Sequence, residues 1–337
     1  MDSASIIEWI IKSLFIVLGS TVGFAYLTWF ERRVLARIQV RIGPNRTGPF
    51  GLLQPIADAV KLIFKEELIP AKADKLVFIL APIITVFPAL VITAVIPWGT
   101  SITLFGREIH LHLLDINVGA LYIMAIASIS VYGISLAGWS SNNKYAMLGG
   151  LRAAAQMISY ELALGLAFVP PIMMAGSMGL IAHVETQQSM GLLKWWLYQP
   201  LGPFIFLIAS IAEVNRAPFD MPEAEQELTA GYHTEYSGMK FALFFMAEYI
   251  KMIGVSMIAA TMFFGGYLGP FVDRFPLLGP VYLAIKVIVL LFFMVWLRAT
   301  MPRIRYDRLM AFGWKILLPL SLLNVFITAL VIVLVGV

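Results

Sequence analysis

The chain has 337 residues, of which 60% are hydrophobic and only 13% are charged, and its net charge is +4. A soluble domain carries about 25% charged residues, so this composition favours a protein solvated by lipid. The absence of cysteine excludes a disulfide framework, a thiolate zinc site and an all-cysteine iron–sulfur cluster in this chain. The sequence also lacks a Gly-x-Gly-x-x-Gly or Walker-type loop, so any redox cofactor belongs to a partner or is a diffusible, lipid-soluble molecule.

Several long apolar segments match the length of a bilayer crossing, which takes about 20 mostly apolar residues. Pro200 and Pro203 interrupt the fifth of them, where Trp195, Trp196 and Tyr198 are typical of an interfacial aromatic anchor. We therefore predict an all-α, polytopic membrane protein with a single transmembrane domain of about eight helices. The predicted spans lie near residues 6–30, 76–97, 118–139, 152–174, 195–214, 239–264, 280–298 and 316–336.

Lysine and arginine are concentrated on one side of this predicted topology. The alternate loops and their edges hold 18 of the 24 basic residues. We call this side the basic face. The positive-inside rule predicts that it is cytoplasmic and that both termini lie outside. The four loops of the basic face are residues 31–75, 140–151, 215–238 and 299–315.

The first of these loops contains a second helical pattern, from about residue 50 to 68. Apolar residues recur there at helical spacing, and Asp58, Lys61, Lys65 and Glu66 fall on the other side. This pattern predicts an amphipathic helix lying at the membrane surface. Its role stays open between a plain cap on the bundle and a functional element.

Three carboxylates lie within predicted spans: Glu161, Glu213 and Glu248. An ionisable group at the centre of a membrane helix costs roughly 2.5–3.5 kcal/mol, so its presence favours a functional role. Lys251 follows Glu248 at i+3, on the same helical face, so the two can pair. A proton relay is the favoured interpretation, and structural pairing with Lys251, tyrosine or backbone groups is the alternative.

The loop after Glu213 continues this acidic line. Asp220 has the form of a helix N-cap, and Glu223, Glu225 and Glu227 crowd the short helix predicted behind it. A solvated surface run would usually explain such a cluster. Because close like charges raise one another's pKa, the alternative is a patch that responds to a charge created beside it.

Basic side chains and isolated histidines complete the candidate groups. The arginines fit topology determination and lipid head groups, but the surrounding Gly, Pro and Asn turns favour a shaped docking surface. The histidines are weak evidence for a metal site, and none is predicted. The arginines are Arg32, Arg33, Arg37, Arg41 and Arg46 in the first loop, with Arg298, Arg303, Arg305 and Arg308 in the last; the histidines are His110, His112, His183 and His233.

Long motifs of mixed polarity on the basic face resemble one family, the membrane-embedded H subunit of bacterial NADH:quinone oxidoreductase (respiratory complex I), the counterpart of mitochondrial NADH dehydrogenase subunit 1. The resemblance covers nearly the whole chain. The motifs that carry it are ERRVLARIQVRIGPNRTGPFGLLQPIADAVKLIFKE, AGWSSNNKYAMLGGLRAAAQMISYE, EVNRAPFDMPEAEQELTAGYHTEYSGMKFALFFMAEY and RATMPRIRYDRLMAFGWKILLPL.

The resemblance implies a chamber that admits ubiquinone or menaquinone from the bilayer, and an acidic channel that couples quinone reduction to proton translocation. It places NAD, FMN and iron–sulfur clusters in partner subunits. The implied partners are peripheral-arm iron–sulfur and quinone-binding subunits, small membrane subunits, antiporter-like subunits and lipids, with no nucleic acid, in an energy-transducing membrane such as the bacterial plasma membrane. The quinone path would include Arg37, Asp58, Lys61, Lys65 and Arg298, and the channel Glu161, Glu213 and Glu248 with Glu223, Glu225 and Glu227.

Three alternatives are weighed against this hypothesis. One is the related membrane subunit of a hydrogenase or of another donor:quinone oxidoreductase, which the electron-input partners would distinguish. A free-standing ion transporter usually has repeated halves and broken helices at the membrane midplane, whereas the unusual residues here gather at the basic face. A passive membrane anchor would leave the buried carboxylates without a purpose.

Overall fold

The computed structural model describes residues 3–104, 107–221, 230–272 and 274–335. Within these ranges the chain is almost entirely helical, which confirms the predicted fold class. The helices are α1 Ser3–Ile38, α2 Gln54–Phe64, α3 Lys75–Ile92, α4 Gly119–Ser140, α5 Lys144–Ala175, α6 Leu180–Met190, α7 Leu192–Tyr198, α8 Gly202–Glu213, α9 Gly238–Phe263, α10 Leu278–Thr300, α11 Tyr306–Phe312 and α12 Leu318–Val335.

Seven helical segments of the described part are long and apolar enough to cross a bilayer, and a bent pair of helices makes up an eighth. The bent pair is α7 and α8, which meet at 78°. Pro200 lies in the break and Pro203 lies in the first turn of α8, where its missing N–H costs no helical hydrogen bond. The interruption predicted at these prolines is therefore a true break in the span.

Several helices extend beyond the predicted spans. The first reaches Ile38, the fourth begins at Lys144, and the last runs from Tyr306 to Val335 through a short π-helical segment, Gly313–Leu317. The connections between them are accordingly shorter than the loops that hydropathy predicts. Helical hydrogen bonds continue in water, whereas hydropathy reports only the part of a helix that suits lipid.

The amphipathic helix of the first loop is α2, and it contacts both α1 and α9. Its apolar side chains, such as Ile56, Ile63 and Phe64, remain exposed on the isolated chain. On the opposite face, β1 (Ser101–Leu104) and β2 (Arg107–His110) form an antiparallel hairpin in the register Ser101↔His110, an element that the apolar pattern does not predict.

The bundle packs around α9, which is the most buried of the membrane-spanning helices, whereas α1 is the least buried. The core between α5, α8 and α9 is aromatic and contains Phe168, Phe206 and Phe263 in ring contact. Because α9 contacts α1, α3, α8 and α10, polar side chains on its basic half reach several helices at once.

Candidate functional site

Four charged side chains meet where the basic ends of α1, α9 and α10 converge on the turn after α8. Nε of Arg216 lies 2.8 Å from Oε1 of Glu248, and its Nη1 lies 3.5 Å from Oε1 of Glu31. Arg298 completes the group by donating to the same Glu31 oxygen. Glu31 and Arg216 are buried, whereas Glu248 and Arg298 are partly buried, so the centre of this ion-pair network lies in low dielectric.

Arg216 is the centre of this network. Its guanidinium lies 4.3 Å from the ring centroid of Tyr249, and the Tyr249 hydroxyl interacts electrostatically with both Glu31 and Arg216. Burial opposes the charge of Arg216, but Glu248, Glu31 and Tyr249 raise its pKa above the ordinary value. The cation is therefore fixed between two carboxylates and the face of an aromatic ring.

A second cluster surrounds Lys251, one turn further along α9. The Lys251 ammonium donates to the hydroxyl of Ser130 on α4 and interacts electrostatically with Glu213, Glu248 and Glu161, in decreasing order. The Ser128 hydroxyl, also on α4, donates to Glu161. Thus the three carboxylates singled out in the sequence are brought together around one buried lysine.

Two small cavities meet at Val214 and Lys251. The first offers about 20 Å³ to the centres of water molecules and is also lined by Asn215, His233 and Glu248. The second offers about 30 Å³, is largely apolar and reaches Glu213. One water needs roughly 10–15 Å³ of such volume, measured as the space open to its centre. Water-sized spaces therefore adjoin Lys251 on the Glu248 side and on the Glu213 side.

The expected pairing of Glu248 with Lys251 is only part of the arrangement. The two groups interact electrostatically, but the close ion pair of Glu248 is with Arg216, which arrives from the turn after α8. The i+3 spacing identifies neighbours within one helix and contains no information about a cation on another segment. The site therefore combines pairing within α9 with pairing between helices.

The residues expected along a quinone path lie in the ion-pair network or between it and the basic face. Asp58 pairs with Arg32 at 2.7 Å and with Lys61 at 3.7 Å, while Arg37 and Lys65 are exposed. Arg298 belongs to the network itself. The path residues thus divide into a partly buried end at Arg298 and an exposed rim carried by α1 and α2.

The turn between α1 and α2 is shaped by glycine. Gly51 has a φ of +75°, and a Cβ there would lie 2.3 Å from the Pro44 carbonyl oxygen, so a larger residue would force the turn open. Arg33 secures the same turn by donating to the Phe50 carbonyl at 2.7 Å and by lying over the rings of Trp29 and Phe50. This part of the basic face is consequently a fixed surface.

An apolar cleft of about 560 Å³ runs between α1, α9 and α10. Its basic end is formed by Trp29 and Phe30, directly before Glu31. The cleft therefore runs from the lipid-facing side of the bundle to the turn of α1 that carries Glu31. The walls that α9 and α10 contribute are lined by Ile253, Met257, Leu283, Val287 and Leu291.

The acidic loop lies largely outside the described residues, which stop at Met221 and resume at Ala230. Glu223, Glu225 and Glu227 fall in this interval, so their predicted role in the channel stays a prediction. The expectation that no metal is bound stays a prediction as well. Among the described residues, no three His, Cys, Asp or Glu side chains lie close enough together to hold a metal ion.

Sequence reasoning missed two members of the network, Glu31 and Arg216. Glu31 looks like the first residue of a loop because it opens the charged motif after the first span, yet α1 continues through it and buries it. Arg216 falls among the basic residues that mark the topology. A carboxylate directly at the end of an apolar span was the available signal for Glu31, and Arg216 had none.

These features define a class: a polytopic α-helical membrane protein whose basic half holds a connected line of ionisable side chains. The comparisons with known proteins identify the family. The family model described as NADH dehydrogenase matches residues 11–329.

Curated relatives agree with this match. The chain is 55% identical to the H subunit of NADH-quinone oxidoreductase from Thermomicrobium roseum over 325 residues, 94% of each chain. It is 53% identical to the protein of the same name from Syntrophotalea carbinolica over 321 residues, 95% of each chain. The chain therefore belongs to the H-subunit family of NADH-quinone oxidoreductase, the complex I membrane-subunit family that its motifs resemble.

Proposed function

We propose that this chain forms part of the quinone-binding chamber of NADH-quinone oxidoreductase and couples quinone reduction to proton translocation. Ubiquinone or menaquinone is the substrate, and NAD, FMN and iron–sulfur clusters belong to partner subunits. The observation that carries the proposal is the line of ionisable side chains from Arg298 through Glu31, Arg216 and Glu248 to the Lys251 cluster. Such groups are costly in a membrane and are retained where charge or protons move.

The apolar cleft supports entry of a quinone from the bilayer. A quinone has an apolar isoprenoid tail and a polar head, and the cleft offers an apolar wall that ends at Trp29 and Phe30, next to Glu31. The tail would lie against α1, α9 and α10 while the head continues toward the basic face and a partner subunit. Polar side chains along this path are Arg37, Asp58, Lys61, Lys65 and Arg298.

Coupling follows from electrostatics in low dielectric. Reduction of a quinone to a quinol takes up two electrons and two protons, and a charge imbalance near Arg298 would alter its pairing with Glu31. Arg216 shares Glu31 with Arg298 and also holds Glu248, so a change at one end changes the free energy of protonating groups at the other. The chain supplies electrostatics and proton routing, while electron transfer uses cofactors of its partners.

The proposed route continues from Lys251 to Glu213 and Glu161, and Glu223, Glu225 and Glu227 would extend it at the basic face. Antiporter-like and small membrane subunits would receive the signal. The fixed loops of the basic face would dock the iron–sulfur and quinone-binding subunits of the peripheral arm. In this arrangement the basic face is cytoplasmic, both termini lie outside, and the membrane is the bacterial plasma membrane.

Replacement of Glu213 or Glu248 by glutamine in the assembled complex tests this function. Each substitution preserves side-chain size and removes the titratable proton, so proton pumping should fall by at least about tenfold. The measurements are quinone reductase rate and proton uptake in reconstituted vesicles. Glu185→Gln, at an exposed position on α6, is the matched control and should behave as wild type. Normal reductase and pumping rates in both test variants would reject the relay.

A further inference from the structure

His233 is enclosed by aromatic side chains beside the charged site. It ends the short helical turn Gly231–His233 between α8 and α9, and its ring centroid lies 3.9 Å from that of Tyr232 and 5.5 Å from those of Phe241 and Phe244. Only 5% of the residue is exposed. Among the described residues, its Nε2 atom has no hydrogen-bond partner.

A second polar atom without such a partner faces the same space. Asn215 Oδ1 is buried and has no hydrogen-bond partner among the described residues. Asn215 and His233 both line the cavity of about 20 Å³ that also contacts Glu248 and Lys251. A buried polar group without a hydrogen bond is destabilising, and a bound water usually makes two to four hydrogen bonds to such groups. The cavity has both the volume and the polar lining that one water requires.

We propose that His233 and Asn215 are positioning residues that hold a water molecule between Glu248 and Lys251, and that this water connects the ion-pair network to the Lys251 cluster. The inference rests on the proposed function, because it names a step of that proton route. Glu248 belongs to the network through Arg216, and Lys251 belongs to the cluster with Glu213 and Glu161. The cavity lies between the ion-pair network and the Lys251 cluster.

The chemistry of the two residues suits this role. Burial lowers the pKa of His233 to about 3, so its imidazole is neutral at physiological pH and orients water without adding a charge. A neutral imidazole nitrogen donates or accepts according to its tautomer, and the amide oxygen of Asn215 accepts. Among the described residues, the charged groups that line this cavity are Glu248 and Lys251, and Arg216 is held on Glu248.

The test compares variants of the assembled complex in proteoliposomes. His233→Phe removes the ring nitrogens, whereas His233→Gln keeps an amide that reaches the position of Nε2. Asn215→Gly removes the other water ligand, and glycine suits the φ of +58° at this position. His183→Phe is the matched control, because His183 is also buried with an Nε2 atom that has no hydrogen-bond partner among the described residues, but it lies on α6 and does not line the cavity.

We expect His233→Phe and Asn215→Gly to lower proton translocation about tenfold and to increase its solvent deuterium isotope effect, and His233→Gln to stay within about twofold of wild type. A high-resolution map of the intact complex should show water within about 3.2 Å of His233 Nε2. If the His233→Phe complex does not assemble, the translocation rate of Asn215→Gly and the presence or absence of the water in the map test the inference.

Normal translocation in Asn215→Gly, a glutamine variant as impaired as the phenylalanine variant, or a map without this water would overturn the inference. The proposed function fails separately: it is rejected when Glu213→Gln and Glu248→Gln pump normally. Impaired glutamate variants together with normal Asn215→Gly would therefore reject the water alone.

Discussion

The two halves of the bundle use buried polar side chains in different ways. On the half opposite the basic face, several polar donors bond to backbone carbonyl oxygens, which cannot change their protonation state. On the basic half, buried ionisable side chains bond to one another. The donors of the opposite half include Trp195 to Met262 at 3.0 Å, Trp196 to Phe263 at 2.6 Å, Gln187 to Thr261 at 2.7 Å and Lys286 to Gly266 and Leu268, both at 2.8 Å.

This difference separates stabilising polar groups from groups that can respond. A donor fixed on a backbone carbonyl satisfies the end of a helix and has one favoured state. An ion pair such as Arg216 with Glu248 changes its free energy whenever a neighbouring charge changes. Buried polarity alone therefore does not indicate function in this protein; the partner of each polar group does.

The largest expected effect comes from removing the central cation. Arg216→Met removes the close cation of Glu248 and one of the two cations on the buried Glu31, which should cost about 3–5 kcal/mol of stability. Complex assembly on native gels and its thermal midpoint measure the loss. Arg305→Met is the control, since the exposed pair of Arg305 with Asp307 is screened by solvent and should contribute little to stability. Equal effects of the two substitutions would remove the distinction between buried and exposed pairs.

A pair of lysine substitutions compares the two halves directly. Lys251→Met removes the cation among the carboxylates and should lower proton translocation by at least about tenfold in complex that still assembles. Lys286→Met loses two bonds to backbone carbonyls and should cost about 1.5–3 kcal/mol of stability with normal coupling. Proton pumping in vesicles and thermal midpoints distinguish the two variants. A coupling defect in Lys286→Met would contradict the division between responsive groups of the basic half and stabilising groups of the opposite half.

The smallest effect concerns pH. His233 is held neutral down to a pKa of about 3, whereas a histidine in an unfolded chain protonates near about 6.5. Because the folded pKa is lowered, the unfolded state binds more protons as pH falls below about 6.5, and stability declines there. Between pH 7.5 and 5.5 the loss should be about 1.4 kcal/mol. His233→Gln should show a shallower dependence of its thermal midpoint on pH, and an unchanged slope would place the acid sensitivity elsewhere.

The agreement between sequence and structure is best where the signal lies within one segment. Apolar runs predicted the membrane helices, and the prolines at 200 and 203 predicted the break between α7 and α8. The i+3 spacing placed Glu248 and Lys251 near each other but could not reveal Arg216, which comes from another segment. Several helices extend beyond the predicted spans, because hydropathy measures suitability for lipid and not helical hydrogen bonding.

By itself the sequence determined the all-α membrane class, the concentration of charge at one face and the family, since apolar length, the distribution of lysine and arginine, and long motifs are properties of the chain alone. Only the tertiary structure decided which charges meet. Glu31, Arg216 and Arg298 are far apart along the chain and converge because α1, α10 and the segment that ends in the turn after α8 all pack against α9. Interaction energies between charges depend on distance and burial in three dimensions, and neither is written in the order of residues.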